Sequence, residues 1–492
     1  MTSVVTRSAA VDEQAQPQAQ RVRGKKRRWE GHEVADQPSP KKARITPEFI
    51  EMCREKFTSD PKNIIVRNAI ASVGTVLAAT STEEVNKVNH VFLNTIKEEH
   101  VKATNQASSG RCWLFAGLNM FRHTLIKALG LKNFEFSETY LFFWDKVERS
   151  NVFLTYILNN LDKPLDDRTM HLTLARPVCD GGYWNMFVNL VNKYGLIPKD
   201  AMKETFHSGW SEEINEVINE RLRACAHYLI ENHHKLNEEQ IEEIRSSCVQ
   251  QIYEIMVKFL GMPPKEFEWS YIKSDYSERQ TLAGLTPAAF KTMAIGGIDL
   301  NDFICLTHFP DHPYNKRYAL KHTSNVVGGE KAILLNVSIR ELKKHAAKAI
   351  TSGIPVWFGA DVHRGFHPYE DTLDEKLIDY DLIFGEQYPM TKAQRLAYRT
   401  TEANHAMCLT GVDFDEKGKT IKWQVENSWG YYDDETPGLD GFLTMSDDWF
   451  DENVFEVVIH KNLLSRQLTR LLTSEIVEVE PWDTLAEAAM SR

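Results

Sequence analysis

The chain has 492 residues, 42% of them hydrophobic, so it is long enough to bury a substantial core. Its seven cysteines are scattered and odd in number and include no Cys-x-x-Cys pair, which argues against a disulfide framework and a zinc ribbon. The net charge of −11 is uneven: residues 1–44 hold ten Lys and Arg against five Asp and Glu, a net of +5, which leaves −16 for an acidic body that repels nucleic acid.

The hydrophobic residues are spread along the chain in short runs. None of these runs approaches the roughly 18 residues of a membrane-spanning helix, and the N-terminus lacks the apolar segment of a secretory signal. Together with the unpaired cysteines, this predicts a soluble protein of the cytoplasm with no membrane partner.

The first 44 residues are rich in Gln, Pro, Ser, Arg and Lys, which predicts a disordered basic tail. Two basic clusters in it, residues 25–28 and 41–44, are separated by twelve residues, a spacing similar to that of a bipartite nuclear-import signal. A solvated tail without any receptor is the alternative. A nuclear-import receptor, or nucleic acid, is therefore expected as a partner only through residues 1–44.

Ordered structure is expected to begin at Thr46. An N-cap residue, a proline at the first helical position and an acidic first turn follow one another there and predict the start of a helix. Further helices are predicted over about residues 60–70 and 82–98.

Residues 105–113 contain Cys112 directly before an apolar run that is compatible with a helix. Residues 108–110 offer a turn and an N-cap, so we expect Cys112 in the first turn of a buried helix, where the helix N-terminus and a facing imidazolium lower the pKa of the thiol. A cysteine beside a tryptophan is usually an ordinary buried thiol. Gln106 points to chemistry, because its side-chain N–H and the backbone N–H of Cys112 together suit the oxyanion of an acyl-transfer intermediate.

The longest helical pattern covers about residues 211–262, with a break near 232–237, and predicts a helical hairpin. After residue 300, short apolar runs bounded by Gly and Pro predict strands, among them 356–360 and 406–410. Helices in the first half and strands in the second predict an α+β fold with its functional site between the two parts.

His405 opens an apolar strand that ends in a turn, and a second strand is predicted over residues 421–427. Antiparallel pairing of the two would bring the amide oxygen of Asn427 to the ring N–H of His405, with Trp429 covering the hydrogen bond. A single His or Asn is more often structural. Together with Cys112, the set supplies the nucleophile, the base and the orienting amide of thiol-dependent acyl transfer.

Longer motifs extend this pattern over most of the chain. They are Asn105-Gln106-x-x-Ser109-Gly110-Arg111-Cys112-Trp113, the run 134–149, Asp180-Gly181-Gly182, and the segments 193–199, 356–359, 425–430 and 481–483. On these motifs the chain resembles the papain superfamily and, within it, the bleomycin hydrolase family of cysteine aminopeptidases, over roughly residues 46–490. The resemblance implies a papain-like two-part α+β fold, with a helical part and a β-barrel-like part, in a peptidase domain at 45–480.

The chain departs from secreted papain-like enzymes in two ways. Those relatives carry a cysteine at the position of Ser109 that is bonded to the counterpart of Cys179, so this bridge cannot form here, which fits a reducing compartment. The interval of 293 residues between Cys112 and His405 is about twice the usual one. Large helical insertions, including residues 211–262, are therefore implied.

The resemblance also implies peptide substrates, a homohexameric ring and a C-terminal arm, residues 481–492, in the active-site cleft. The terminal carboxylate would pair there with the substrate's amino group; a frayed tail is the alternative. Arg492 ends a terminus slightly longer than expected, so trimming of the arm is a hypothesis. Gly181 and Gly182 are implied to line the groove and bind the substrate backbone, the alternative being a tight turn that needs positive φ.

The sequence thus predicts a cysteine-type aminopeptidase that needs no cofactor, since the histidines show no metal-ligand spacing. Another thiol acyl-transfer enzyme, such as an amidase or a transglutaminase, uses the same residue types and is one alternative. A nucleic-acid-binding protein that acts through the basic tail is the other.

Overall fold

A computed structural model of the chain describes residues 44–96, 101–273, 279–431 and 440–487. By its internal contacts the chain divides into two compact units, residues 1–69 and residues 70–492. The predicted disordered tail lies outside the described residues except for Arg44, and so do the last five residues of the predicted C-terminal arm. Within the described ranges, no helix has the length and apolar character needed to cross a membrane.

The described part of the chain contains helices in both halves. They are α1 Pro47–Thr58, α2 Pro61–Ala79, α3 Thr82–Val85, α4 Cys112–Leu129, α5 Glu138–Leu158, α6 Arg168–Ala175, α7 Trp184–Tyr194, α8 Ser211–Asn232, α9 Glu238–Leu260, α10 Pro287–Ile295, α11 Ile339–Thr351, α12 Tyr380–Phe384, α13 Lys392–Ala397, α14 Asp447–Asn453, α15 Arg466–Leu471 and α16 Thr484–Glu487.

The strands all follow the long helices α4–α9. They are β1 Phe267–Ile272, β2 Arg279–Leu285, β3 Phe303–Thr307, β4 Lys316–Leu320, β5 Ile333–Asn336, β6 Val356–Ala360, β7 Phe366–His367, β8 Thr372–Leu373, β9 His405–Phe414, β10 Thr420–Glu426, β11 Phe442–Ser446, β12 Val454–His460 and β13 Ile476–Val479. β1 and β2 form a hairpin, and the others form one sheet in the order β13-β4-β5-β3-β12-β6-β9-β10-β11-β8-β7. The predicted α+β class is confirmed.

The first helix begins as predicted. The hydroxyl of Thr46 accepts a hydrogen bond from the N–H of Phe49 at 3.2 Å, and Pro47 occupies the first helical position. The helix predicted over 60–70 is also present and continues to Ala79, with a kink at Gly74, where φ is +78°.

The helix predicted over residues 82–98 is wrong for residues 86–96, which follow the four residues of α3 and are not helical, whereas residues 97 and 98 lie outside the described residues. Further along, the N–H of Leu93 donates to the carboxylate of Asp413 at 2.9 Å, and the N–H of Ile96 donates to the carbonyl of Thr410 at 2.7 Å. These backbone groups bond to β9 and not to carbonyls one turn earlier, because tertiary hydrogen bonds override a weak local helix preference.

The long helical hairpin is confirmed, with α8 and α9 on either side of the predicted break. Asn237 and Gln240 form a reciprocal capping box at the start of α9, with hydrogen bonds of 2.8 and 3.0 Å. Ile218 on α8 and Ile252 on α9 are fully buried in the same hydrophobic core as α5. The hairpin therefore belongs to the core of the helical part.

The centre of the large sheet lies against α4. β9 is buried along almost its whole length and pairs antiparallel with β6 on one side and β10 on the other. The indole N–H of Trp357 on β6 donates to the carbonyl of Trp113 on α4 at 3.2 Å. Both faces of β9 are thus covered, and its first residue, His405, faces the start of α4.

A buried carboxylate joins α4 to the end of β10. Glu426 accepts hydrogen bonds from Arg122 at 2.8 Å and from His123 at 2.7 Å, and each of the three side chains is at most 1% exposed. Burial alone would raise the pKa of Glu426, but His123 and Arg122 outweigh it and hold that pKa below its ordinary value. This cluster of Glu426, Arg122 and His123, the Glu426 clamp, fixes the end of β10 against α4.

Replacing Glu426 with Ala leaves the Arg122 cation buried without its carboxylate. We expect the free energy of unfolding to fall by about 3–5 kcal/mol, measured by urea-induced unfolding. The matched control is Glu242→Ala, which removes a solvent-exposed partner of Arg245 on α9 and should cost less than about 1 kcal/mol. Equal losses in the two variants would contradict the stabilising role of the clamp.

Candidate active site

Cys112 is the first residue of α4, so the prediction that it lies in the first turn of a buried helix is confirmed. The predicted N-cap within residues 108–110 is wrong, because Arg111 takes that position and makes no side-chain capping bond. The hydroxyl of Ser109 instead donates to the carbonyl of Gln106 at 2.5 Å. Serine here holds the preceding loop in place and leaves the helix N–H groups free of side-chain caps.

Arg111 is a residue whose part in the site the sequence analysis missed. Its side chain is fully buried, pairs with the Glu204 carboxylate at 2.9 Å, and donates to the Ser109 hydroxyl at 2.9 Å and to the Gln106 carbonyl at 3.4 Å. Burial raises the pKa of Glu204, but Arg111 outweighs this and keeps it below its ordinary value. The guanidinium thus ties together both ends of the loop before Cys112, and no local pattern reveals a partner 93 residues away.

Gln106 is buried, with a side-chain amide that is held at both ends. Its Nε2 donates to the carbonyl of Ser109 at 2.5 Å, and its Oε1 accepts from the hydroxyl of Ser428 at 2.6 Å. The second N–H of Nε2 forms no hydrogen bond with another residue in the described ranges. That N–H is the one available to an oxyanion, so the predicted role of Gln106 stays a prediction that the geometry permits.

β9 and β10 place His405 beside Asn427, as predicted. Nε2 of His405 lies 2.8 Å from Oδ1 of Asn427, which also accepts the backbone N–H of Ser428 at 2.8 Å. Since an amide oxygen only accepts, Nε2 carries the proton and Nδ1 is left as an acceptor. The Trp429 ring stacks on the imidazole at 4.8 Å between centroids and covers this hydrogen bond.

One small cavity of about 30 Å³ brings four of the sequence-predicted residues together. Cys112 and His405 both line it, with Gly181 and Gly182 on its wall. Backbone hydrogen bonds from Ala406 and Trp113 reach the sulfur of Cys112, so the thiol lies next to the residue that follows His405. The site lies where α4 meets the sheet, between the helical part and the strands.

The two groove glycines are required for different reasons. Gly181 has φ +80°, a conformation that favours glycine, as the tight-turn alternative predicts. A Cβ on Gly182 would lie 2.6 Å from the ring of Trp113, so this backbone packs directly on the indole. The substrate-binding role of both residues stays a prediction, which their position on the cavity wall allows.

The lowered pKa expected for the Cys112 thiol is not found, because burial acts in the opposite direction. Burial raises the pKa of Cys112 to about 11, although backbone hydrogen bonds to the sulfur act to lower it. Burial also lowers the pKa of His405 to about 4, although the hydrogen bond to Asn427 acts to raise it. Desolvation thus shifts both groups toward their neutral forms.

The described part of the C-terminal arm, residues 481–487, contacts Tyr183 and His312. The hydroxyl of Tyr183, the residue that follows Gly182 in the sequence, donates a hydrogen bond to the carbonyl of Ala486. His312 lies 3.1 Å from a carboxylate oxygen of Asp483, and hydrogen bonds to Asp311 and Asp483 raise its pKa to about 9. The described part of the arm is therefore held by a charged contact and a hydrogen bond.

All seven cysteines carry free thiols. Within the described residues, no group of three or more His, Cys, Asp or Glu side chains is arranged to hold a metal ion.

Comparison with known proteins extends the resemblance to the whole fold. A model of the Peptidase C1-like family matches residues 44–486. Aminopeptidase C of Listeria monocytogenes is 36% identical over 91% of this chain and 99% of its own length, and human bleomycin hydrolase is 35% identical over 90% and 99%. The crystal structure of PepW from Lactobacillus rhamnosis superposes with a TM-score of 0.85 at 35% identity, covering 91% of this chain and all of that one. The chain has the α+β papain-like fold and belongs to the Peptidase C1-like family.

Proposed function

We propose that the chain is a cysteine aminopeptidase that releases N-terminal residues from peptides and related amides, with Cys112 as nucleophile, His405 as base and Asn427 as orienting residue. The observation that carries this proposal is that Cys112 and His405 line the same cavity and that Asn427 holds the His405 ring at 2.8 Å. Relatives named aminopeptidase and bleomycin hydrolase, each aligned over about nine-tenths of the chain, support the same activity.

The mechanism starts from a neutral pair. Nδ1 of His405 accepts the proton of the Cys112 thiol as the sulfur attacks the scissile carbonyl, and a carbon–sulfur bond forms. The imidazolium then donates this proton to the leaving amine as the carbon–nitrogen bond breaks. A water that gives its proton to His405 hydrolyses the acyl-enzyme and restores the thiol. Asn427 Oδ1 accepts from Nε2–H throughout and stabilises the transient imidazolium.

In the proposed mechanism, N–H groups stabilise the negative charge on the oxygen of the tetrahedral intermediate. The free N–H of Gln106 and the backbone N–H of Cys112 at the start of α4 form the proposed oxyanion hole. Because Arg111 and Ser428 hold the loop and the amide of Gln106, these donors are oriented before substrate binds. Preorganised donors need no rearrangement as charge develops.

The arm supplies the proposed basis for exopeptidase specificity. Its described part reaches Tyr183, next to the groove glycines, and only residues 488–492 follow. The family resemblance implies that the terminal carboxylate enters the cleft and meets a substrate's amino group there. A carboxylate in this place also blocks the longer chains that an endopeptidase accepts.

Assembly and location complete the proposal. A homohexamer, residence in the cytoplasm and nuclear import through residues 1–44 stay expectations from the family resemblance and the basic clusters. Seven free thiols support a reducing compartment. The β-barrel-like description of the sheet and the status of α8 and α9 as an insertion also stay proposals.

Replacing Cys112 with Ala removes the nucleophile. We expect kcat on an aminoacyl fluorogenic amide to fall by on the order of 10⁵-fold or more, because the other two residues act only through the thiol. The control is Cys53→Ala, an exposed thiol on α1, which should keep full activity. Mass spectrometry of the products distinguishes hydrolysis from the amine exchange of a transglutaminase, and retained turnover in the Cys112 variant would refute the assignment.

Asn427→Ala tests the orienting role. Loss of the hydrogen bond to Nε2 should lower kcat by about 10–100-fold with little change in KM. Asn427→Asp keeps an acceptor and adds a negative charge, which raises the pKa of His405 from its value of about 4. Because the base must be unprotonated, the acid limb of the pH–kcat profile should move to higher pH in this variant. An unmoved limb would count against His405 as the base.

Truncation of the chain tests the role of the arm. Chains ending at Glu487 and at Pro481 should lose stepwise N-terminal release and gain internal cleavage, read by mass spectrometry of a peptide library. The shorter chain also loses the contacts of Asp483 and Ala486, so the longer one isolates the effect of the last five residues. Unchanged exopeptidase products from both chains would rule the arm out as the specificity device.

A further inference from the structure

A second cavity, of about 820 Å³, lies near the residues that surround His405. It runs between residues 363–365, 378–381 and 387–390, and we call it the Tyr388 groove. Its volume falls in the range of roughly 300–1,000 Å³ that is typical of ligand sites. The three proposed catalytic residues are not among the described residues that line it, so the groove has a role other than the acyl-transfer chemistry.

Two contacts connect the Tyr388 groove with His405. Burial is the largest cause that lowers the pKa of His405, and the charge of His363 lowers it further, so this exposed residue of the groove wall lies near the catalytic ring. The ring of Phe366 packs on that of Trp429 at 5.3 Å between centroids, and Trp429 stacks on His405 at 4.8 Å. Because Phe366 directly follows the wall residues 363–365, the groove adjoins the part of the site that His405 and Trp429 form.

One wall of the Tyr388 groove is held by close backbone contacts. Gly365, with φ +61°, crosses Glu375 so closely that a Cβ on the glycine would lie 2.8 Å from the backbone of Glu375. The indole N–H of Trp449 donates to the carbonyl of Arg364 at 2.6 Å, and the N–H of Asp374 donates to the carbonyl of Gly365 at 2.8 Å. A preformed wall lowers the entropic cost of binding a ligand.

The groove offers aromatic surface to a ligand. Tyr388 is 96% exposed and Tyr380 is 37% exposed, and both line the groove. In the described part of the chain the Tyr388 side chain forms no hydrogen bond and no ring contact. Two cations of the groove, Arg364 and Lys376, are already paired with carboxylates at 3.4 and 2.6 Å. Apolar and aromatic contact, more than net charge, is therefore expected to select what binds there.

The proposed mechanism determines which part of a substrate reaches this groove. His405 gives its proton to the nitrogen of the leaving amine, so the leaving chain begins beside His405. The residue that is released lies on the other side of the scissile bond, and Gly181 and Gly182 are predicted to bind it. The leaving chain therefore extends away from these glycines, past the residues at which the Tyr388 groove begins.

We propose that the Tyr388 groove binds the leaving part of the substrate, the peptide chain on the C-terminal side of the scissile bond, through contacts of Tyr380 and Tyr388 with its apolar and aromatic side chains. This inference rests on the proposed peptidase activity. It adds a determinant of substrate choice that the N-terminal residue does not supply. Long peptides with aromatic residues after the first position should bind more tightly than dipeptides.

The test measures KM for leucine release by the full-length chain from leucyl peptides that range from dipeptide to hexapeptide, with either phenylalanine or serine after the leucine. The ratio of KM on the dipeptide to KM on the hexapeptide reports binding of the leaving chain and does not depend on the amount of active enzyme. In the wild type this ratio should exceed one and be larger for the phenylalanine series. Tyr388→Ala and Tyr380→Ala should each lower it by about threefold to tenfold.

The matched control is Tyr398→Ala, which removes a tyrosine that is 75% exposed and does not line the groove. Its KM ratio should equal that of the wild type. Equal ratios in the wild type and in both groove variants would overturn the proposal. A change of oligomeric mass in Tyr388→Ala with an unchanged ratio, measured by sedimentation velocity, would assign the groove to a second copy of the chain and also overturn it. If one groove variant does not fold, the other decides.

A binding measurement separates this inference from the peptidase activity itself. Fluorescence anisotropy of a labelled phenylalanine-series hexapeptide is measured with Cys112→Ala, which binds without turnover. Adding Tyr388→Ala should weaken this binding by about threefold to tenfold, and unchanged binding would count against the groove. Groove-dependent binding in a chain whose wild type releases no leucine would refute the peptidase activity and support the groove.

Discussion

The buried contact of Glu426 with Arg122 and His123 is the constraint on which the site depends. Glu426 directly precedes Asn427, and Arg122 lies on the helix that starts at Cys112. One carboxylate therefore fixes the distance between the nucleophile's helix and the strand that carries the orienting amide. An ion pair buried to this degree contributes little net free energy compared with apolar packing, but it enforces one relative placement of the two elements.

The loop before Cys112 is held by the same kind of long-range polar contact. Arg111 reaches from the helix start to Glu204 and back to Gln106, while Ser428, two residues after Glu426, bonds to the Gln106 amide. Nucleophile, oxyanion donors and orienting amide are thus joined in one buried hydrogen-bond network. The hydrogen bonds of this network orient its buried polar side chains, and the second N–H of Gln106 is left as the donor proposed for the oxyanion.

The reactivity of Cys112 and His405 depends on their burial. Desolvation shifts both groups toward their neutral forms, so in the proposed mechanism the thiol is activated when its proton moves to the imidazole during attack. Backbone hydrogen bonds to the sulfur act in the opposite direction and lower the pKa of the thiol.

Local patterns in the sequence predicted a large share of these features. The start of α1, the hairpin of α8 and α9, Cys112 at the start of a buried helix and the pairing that brings Asn427 to His405 all follow from capping residues, apolar periodicity and turn length, which act over a few residues. The helix predicted over 82–98 failed because Leu93 and Ile96 bond to β9, more than 300 residues away.

The sequence by itself determined the family, the order of the elements and the residues available for thiol chemistry. Motifs and local hydrogen bonds depend only on residues that are close together in the chain. Only the tertiary structure decided that burial raises the pKa of Cys112 and that Arg111 and Glu426 hold the site together. Burial and charge pairing depend on residues brought together from distant parts of the chain, and these set the pKa values and the geometry of the site.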